Sequence, residues 1–298
     1  MQNKLGFIYA FSAYVFWGVI PLFWKQLDHV DSIEIVIHRM LWSCVLVTLL
    51  ILLSRQWASF KLLLSQPKLM LRLFAASSLI SLNWAVFIWA VNNDRLVETS
   101  LGYFMNPLIS VALGVVLFSE VLRRGQWLAL LVAGIGVVYL FATHGSFPWI
   151  SFVLAITFSL YSAVKKSISV SATHGMAIET LYFFLPALIY LIYIEWQGSA
   201  QFFQGSSNSW MLILGGLFTL IPLVLFAAAA KRISMTALGM MQYIGPTLQL
   251  ICGVVIYQEP FGSQKIIAFG FIWLALVVYS ADQINNRRLR RLAEHRAI

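Results

Sequence analysis

Residues 101–120 read LGYFMNPLISVALGVVLFSE, and residues 238–259 read LGMMQYIGPTLQLICGVVIYQE. From Pro107 to Glu120, and from Pro246 to Glu259, the spacing is 13 residues in both. Upstream, WAVNNDRLVETSLG (89–102) lies over FAAAAKRISMTALG (226–239), so Ala90/Ala227, Arg95/Arg232, Thr99/Thr236, Leu101/Leu238 and Gly102/Gly239 are each 137 apart. Two residues inserted between LG and Pro change the offset to 139. The chain therefore reads as two homologous halves. Both are apolar, and an internal repeat in a membrane protein points to a carrier.

Composition fixes the medium. With 60% hydrophobic and 10% charged residues and a mean hydropathy of +0.84, the chain carries more apolar surface than a water-soluble fold of this size can bury. The apolar runs are continuous rather than alternating, which predicts helices and not a barrel. Ten spans are expected, near 6–23, 34–53, 70–91, 97–119, 126–142, 148–164, 176–194, 209–229, 235–257 and 264–282. The first follows only Lys4, contains Trp17, Gly18 and Pro21, and is read as a mature helix rather than a signal peptide. The fold class is thus an all-α integral membrane protein. Residues 1–145 form the first repeat, 146–284 the second, and 285–298 a basic cytoplasmic tail.

Charge sets the orientation. With the N-terminus inside, sixteen of the twenty Lys and Arg residues fall in inner segments, while Lys25, Arg95 and Lys265 stay outside and Arg39 lies within a helix. Both termini are then cytoplasmic. The tail RRLRR reads as an anchor to lipid headgroups and not as a nucleic-acid site. An odd number of spans in each half turns the second half upside-down. Inverted halves are a physical route to two conformations, one open to each side.

The stretches AYVFWGVIPLFWK (13–25), HRMLWS (38–43), NWAVFIWAVNN (83–93), SLGYFMNPLISVALG (100–114), RRGQWLA (123–129) and QYIGPTL (242–248) resemble the drug/metabolite transporter superfamily. The resemblance is to its EamA-type permeases and, more narrowly, to the RarD branch. It implies a ten-helix permease of the bacterial inner (plasma) membrane. Other EamA-type members export amino acids and related metabolites, which implies export here.

Candidate site residues cluster on the repeat. Mid-span, Pro107 and Pro246 each free the carbonyl four residues earlier, on Tyr103 and Gln242, and paired helix kinks mark a midplane binding site. The alternative is that the kinks only shape packing. Tyr103, Asn106, Gln242 and Tyr243 supply nearby hydrogen-bonding groups. Asn83, beside Trp84, either contacts substrate or bonds another helix. Tyr14 and Trp17 either stack a flat substrate or pack. Glu34, His38 and Arg39 open the second span as a gate or proton relay, with an ion pair or snorkelling as the alternative for Arg39. Glu179 is a proton-coupling carboxylate or the counter-ion of Lys165 and Lys166. Glu120 and Glu259 read as structural groups at the N-terminus of the helix that follows each. Trp42, Trp57, Trp127, Trp149, Trp196 and Trp210 read as interface belts, and Cys44 and Cys252 as packing residues.

Function follows by subtraction. There is no Walker A sequence, no HExxH and no paired-aspartate site, so the chain reads as no enzyme and needs no cofactor or metal. The expected partners are the lipid bilayer and a small neutral or zwitterionic molecule, with proton coupling, a counter-substrate or no coupling as the open alternatives for the drive. A multiply charged anion would need several buried cations, and only Arg39 qualifies.

Overall fold

The computed structural model describes residues 2–119, 122–143, 147–230, 232–233 and 241–296. Among these the regular structure is entirely helical. α1 (Gln2–Val19) is followed by α2 (Pro21–Trp24) and a 3-10 turn (Lys25–Leu27). Then come α3 (Ser32–Leu53), α4 (Trp57–Leu64), α5 (Pro67–Asn92), α6 (Leu96–Phe118), α7 (Arg124–Thr143), α8 (Trp149–Lys166), α9 (Ala172–Trp196) and α10 (Ser206–Ala230). α11 (Ile244–Ile251), a π-helical turn (Cys252–Ile256) and α12 (Ser263–Arg296) complete the chain. Six of these segments are long and apolar enough to cross a membrane: Lys4–Leu27, Ser32–Leu53, Pro67–Asn92, Thr173–Trp196, Ser207–Phe226 and Ser263–Asn286. Arg124–Tyr139, Trp149–Lys165 and Ile244–Ile256 are shorter apolar helices. Leu71, Val116, Val138 and Ile192 project exposed from this assembly, as side chains that meet lipid must.

Local chemistry sets the helix ends. Asp31 Oδ1 accepts from the N–H groups of Ile33 and Glu34 at 2.9 and 3.3 Å and starts α3. Ser171 caps α9 by accepting from His174 N at 3.2 Å. Pro67 occupies the first turn of α5, where a missing N–H costs nothing. Ser119 and Gln258 both take a left-handed backbone (φ 53° and 54°) at the ends of their helices. They are 139 apart in sequence and each precedes a repeat glutamate.

Helices approach closely where glycine removes the side chain. A Cβ on Gly102 would lie 2.8 Å from the Ser151 carbonyl oxygen, joining α6 to α8. One on Gly18 would lie 2.6 Å from Leu248 Cβ, joining α1 to α11. Gly216 sits against Trp42 and Ser43, and Gly136 against Phe271 and Ala268. The principal partners are α6 with α8 and α1 with α11; α5 with α8 and α1 with α10; α3 with α10 and α5 with α9; and α3 with α9, α7 with α12 and α6 with α11.

Several expectations are revised. α12 does not end near residue 282 but continues in helical form to Arg296. α4 was not anticipated; it packs Phe60 inwards, with Trp57 at 5.4 Å from it. Trp42 is no belt residue, since it lies mid-helix with its ring against Phe202 (6.3 Å) and its Cβ and backbone against Gly216. Glu259 does not serve the helix that follows it. Its carboxylate accepts from Leu96 N (2.7 Å) and Val97 N (2.8 Å) and so caps α6, in the other half of the chain. Glu120 lies outside the described residues.

Candidate functional site

The polar side chains inside the helices gather at three places. The first is a knot joining α5, α6 and α8. Asn83 Nδ2 donates to the Leu154 carbonyl and to Thr157 Oγ1, both at 2.9 Å, and Asn83 Oδ1 accepts from the Tyr103 hydroxyl at 3.0 Å. The amide is fully buried and its donors and acceptor are engaged by protein, so the geometry here is that of an interhelical bond. Tyr103 in turn packs its ring against Phe87 and Phe158, 5.7 and 6.1 Å between centroids.

Beside Asn83 in sequence, Trp84 carries the second place. The Arg39 guanidinium lies 4.1 Å from the Trp84 ring centroid and 5.4 Å from that of Trp24. Arg39 Nε donates to Thr219 Oγ1 at 2.6 Å, reaching from α3 to α10. Both expected alternatives for Arg39, an ion pair and a snorkelling chain, are therefore overturned: it is buried, and among the described residues no carboxylate lies within ion-pair distance. One turn earlier, Glu34 Oε1 accepts from Gln201 N at 2.8 Å and lies 3.9 Å from His38 Nε2. The His38 ring stacks on Phe202 at 4.6 Å, and both of its nitrogens are buried without a hydrogen bond.

The third place surrounds the second repeat proline. Tyr14 and Trp17 meet at 5.7 Å, and Phe226 packs on both at 6.2 and 5.8 Å. Gln249 Nε2 donates to the Trp17 carbonyl at 3.1 Å, while its Oε1 is buried without a partner. The two proline positions differ. α6 runs past Pro107 without interruption, whereas Gln242 and Tyr243 form a turn immediately before α11, which holds Pro246 in its first turn. The Tyr243 ring stacks on Phe104 at 6.3 Å, and the Ser100 hydroxyl donates to the Pro246 carbonyl at 2.7 Å.

The remaining candidates lie apart. Asn106 is buried, with Oδ1 unpartnered, and its carbonyl accepts from Ser159 Oγ at 3.2 Å. Near the opposite helix ends, Glu179 is held by Lys165 Nζ (2.6 Å) and by the Tyr161 hydroxyl (3.2 Å), while Ser77 Oγ donates to its backbone carbonyl. The structure thus joins Asn83 to Tyr103, Trp84 to Arg39 and Tyr14 to Trp17, and leaves Asn106 and Glu179 outside these clusters. Thr157, Thr219, Gln249 and Trp24 were missed by the sequence reading. The only signal for the first three was a polar residue inside an apolar run, and Trp24 gave none.

A polytopic helical bundle with buried polar clusters between its helices defines a membrane-embedded protein, and comparison with known proteins narrows the class. Residues 4–142 match the EamA-like transporter family. Protein RarD of Escherichia coli (strain K12) is 40% identical over 288 residues, covering 96% of this chain and 97% of that one. Protein RarD of Streptomyces exfoliatus is 40% identical over 97% of this chain and 92% of its own length. The chloramphenicol-sensitive protein RarD of Pseudomonas aeruginosa is 30% identical over 97% of both. One solved crystal structure superposes on 93% of this chain and 97% of its own with a TM-score of 0.60 at 17% identity, a likeness of fold alone. The chain belongs to the EamA-like transporter family, in the RarD branch of the drug/metabolite transporter superfamily, and is a multi-pass membrane transporter of that type.

Proposed function

We propose that this chain is a bacterial inner-membrane secondary carrier that exports a small neutral or zwitterionic metabolite or drug-like molecule by alternating access. Its ten spans form two inverted repeats, 1–145 and 146–284, with both termini and the basic stretch 285–298 in the cytoplasm. The observation that carries this reading is the pattern of helix contacts. Number the spans α1, α3, α5, α6, α7 for the first half and α8, α9, α10, α11, α12 for the second. Exchanging each span for its counterpart turns α6–α8 into α11–α1, α5–α8 into α10–α1 and α3–α10 into α9–α5, and maps α3–α9, α6–α11 and α7–α12 onto themselves. Each of these pairs is thus present with its mate, as a two-fold relation between halves requires. The matched left-handed residues Ser119 and Gln258 support the same relation.

The loops support the orientation. Lys25 bonds Asp94 at 2.7 Å, His29 approaches Asn208 at 3.1 Å and Glu259 holds Leu96, so these connections share one end, poor in basic residues. Arg72 donates to the Ser167 carbonyl at 3.2 Å and Arg123 to Asp282 at 2.7 Å at the other end, which is rich in them. Of the coupling candidates, the reading favours Glu34–His38 over Glu179, whose carboxylate Lys165 already engages.

Export is tested with membrane vesicles of opposite sidedness from cells that overproduce the chain. Everted vesicles supplied with labelled amino acids and aromatic metabolites should accumulate label, and right-side-out vesicles should not. The reverse pattern makes the protein an importer. Impermeant maleimide should label Asn93→Cys from outside intact cells and Ser65→Cys only after eversion. Labelling of both from one side contradicts the span count between them.

A further inference from the structure

Arg39 holds a cation in the protein interior with no anion beside it. Only 8% of the residue is exposed. Its Nε is fixed by Thr219 Oγ1, and that hydroxyl gives its own proton to the Gly215 carbonyl at 2.9 Å, so the guanidinium plane is set from below. The Trp84 ring is its plate. The remaining N–H donors, on Nη1 and Nη2, meet no acceptor among the described residues. Trp24, 1% exposed and next to the same guanidinium, adds another: its Nε1 is buried without a partner. Glu34, the nearest carboxylate on the same helix, is turned to the Gln201 N–H instead. The cluster therefore holds donors that protein leaves unpaired, one of them, the Trp24 N–H, fully buried, and it is poor in acceptors, a costly arrangement for a purely structural core.

A guanidinium held at Nε and stacked on an indole presents its Nη edge as a rigid fork. That fork matches the two oxygens of a carboxylate. We propose that Arg39 binds the single carboxylate of the transported solute, with Trp84 as platform and the Trp24 indole N–H as an auxiliary donor. The assignment deepens the carrier reading and rests on it for its meaning in transport. It narrows the neutral or zwitterionic class to a zwitterion with a flat apolar body and adds the monocarboxylate of the same shape. Phe16, Phe23 and Phe218, interlocked at 4.6 and 5.4 Å in the same core cluster, supply apolar surroundings for that body. A dianion or a phosphate ester is disfavoured, because among the described residues no second cation contacts these rings.

The test compares acids with their own amides on the purified full chain in micelles. Phenylalanine, tryptophan and phenylacetate are titrated beside phenylalaninamide, tryptophanamide and phenylacetamide, with thermal unfolding and indole fluorescence as readouts. At least one acid should stabilise the protein, and its amide should bind at least about ten-fold more weakly, the loss expected for a charge-assisted hydrogen-bond pair. Arg39→Gln should abolish the difference, and Arg39→Lys, which keeps the charge without the fork, should retain part of it. The comparison on the unaltered chain decides even if a variant fails to fold. Equal binding of acid and amide, no response to any acid, or an undiminished preference in Arg39→Gln would overturn the proposal. Solute counterflow separates the two layers. Acid binding without counterflow keeps the carboxylate site and sinks the carrier; counterflow of uncharged solutes that is indifferent to Arg39→Gln does the opposite.

Discussion

Asn83→Leu removes the amide at the centre of the α5–α6–α8 knot while keeping its γ-branched shape. Three hydrogen bonds disappear: to the Leu154 carbonyl, to Thr157 and from Tyr103. Interhelical bonds in membrane proteins average about 0.6 kcal/mol each, so their loss is worth about 2 kcal/mol. The Tyr103 hydroxyl is then left as a half-buried orphan, which adds about 1 kcal/mol. The variant should therefore be destabilised by about 3 kcal/mol in equilibrium unfolding from micelles. Thr157 softens the loss, because its hydroxyl retains the Val153 carbonyl at 2.6 Å. Tyr103→Phe alone should cost about 1 kcal/mol, and the double variant should fall short of the sum by a similar amount, since the orphan is gone. The reasoning is refuted if Asn83→Leu unfolds like the unaltered protein yet no longer transports. The amide would then address solute rather than the neighbouring helices.

Gly216→Ala places a Cβ 2.5 Å from Trp42 Cβ and 2.8 Å from Ser43 N, so α3 and α10 must separate, at about 1–3 kcal/mol in the same unfolding assay. Gly134→Ala, which meets nothing within 4 Å, should be neutral or stabilise by up to about 1 kcal/mol. Glu259→Ala removes the cap on α6 and should cost about 1–2 kcal/mol, with faster hydrogen exchange at the amides of Leu96 and Val97. Lys165→Met strands the buried Glu179 carboxylate and should cost about 3 kcal/mol. Glu179→Gln should cost less, because Lys165 is 26% exposed and its ammonium can turn to water.

The repeat was legible because it is written locally: LG, proline and glutamate recur at fixed spacing, and the span positions follow from uninterrupted apolar runs. An all-helical chain with several apolar helices was accordingly recovered, while the expected span 235–257 lies partly outside the described residues and the last helix runs on to Arg296. What escaped depends on contacts across the chain. Arg39 finds Thr219, and Glu259 finds Leu96 and Val97, over separations of 180, 163 and 162 residues. No local spacing carries such a pairing, and each was expected to act nearby or to seek a carboxylate. Asn83 was read as open between substrate and helix bonding because an amide in an apolar run announces a partner without saying which. Trp24 was invisible for the opposite reason: in a chain with 11 Trp, one more indole carries no signal until its N–H is found buried and alone. Pro107 and Pro246 were read alike, yet only Pro246 adjoins a break, because the turn at Gln242–Tyr243 accompanies the insertion that distinguishes the second copy.

The most direct test of the carrier claim is counterflow in proteoliposomes of the purified chain. Vesicles are loaded with unlabelled pools of amino acids, nucleosides and aromatic metabolites, then diluted into trace label. The account predicts a transient overshoot of label in vesicles loaded with the matching pool and none in empty ones, because a carrier must return its site occupied or empty. Label that enters loaded and empty vesicles alike, without overshoot, would contradict it and make the protein a pore.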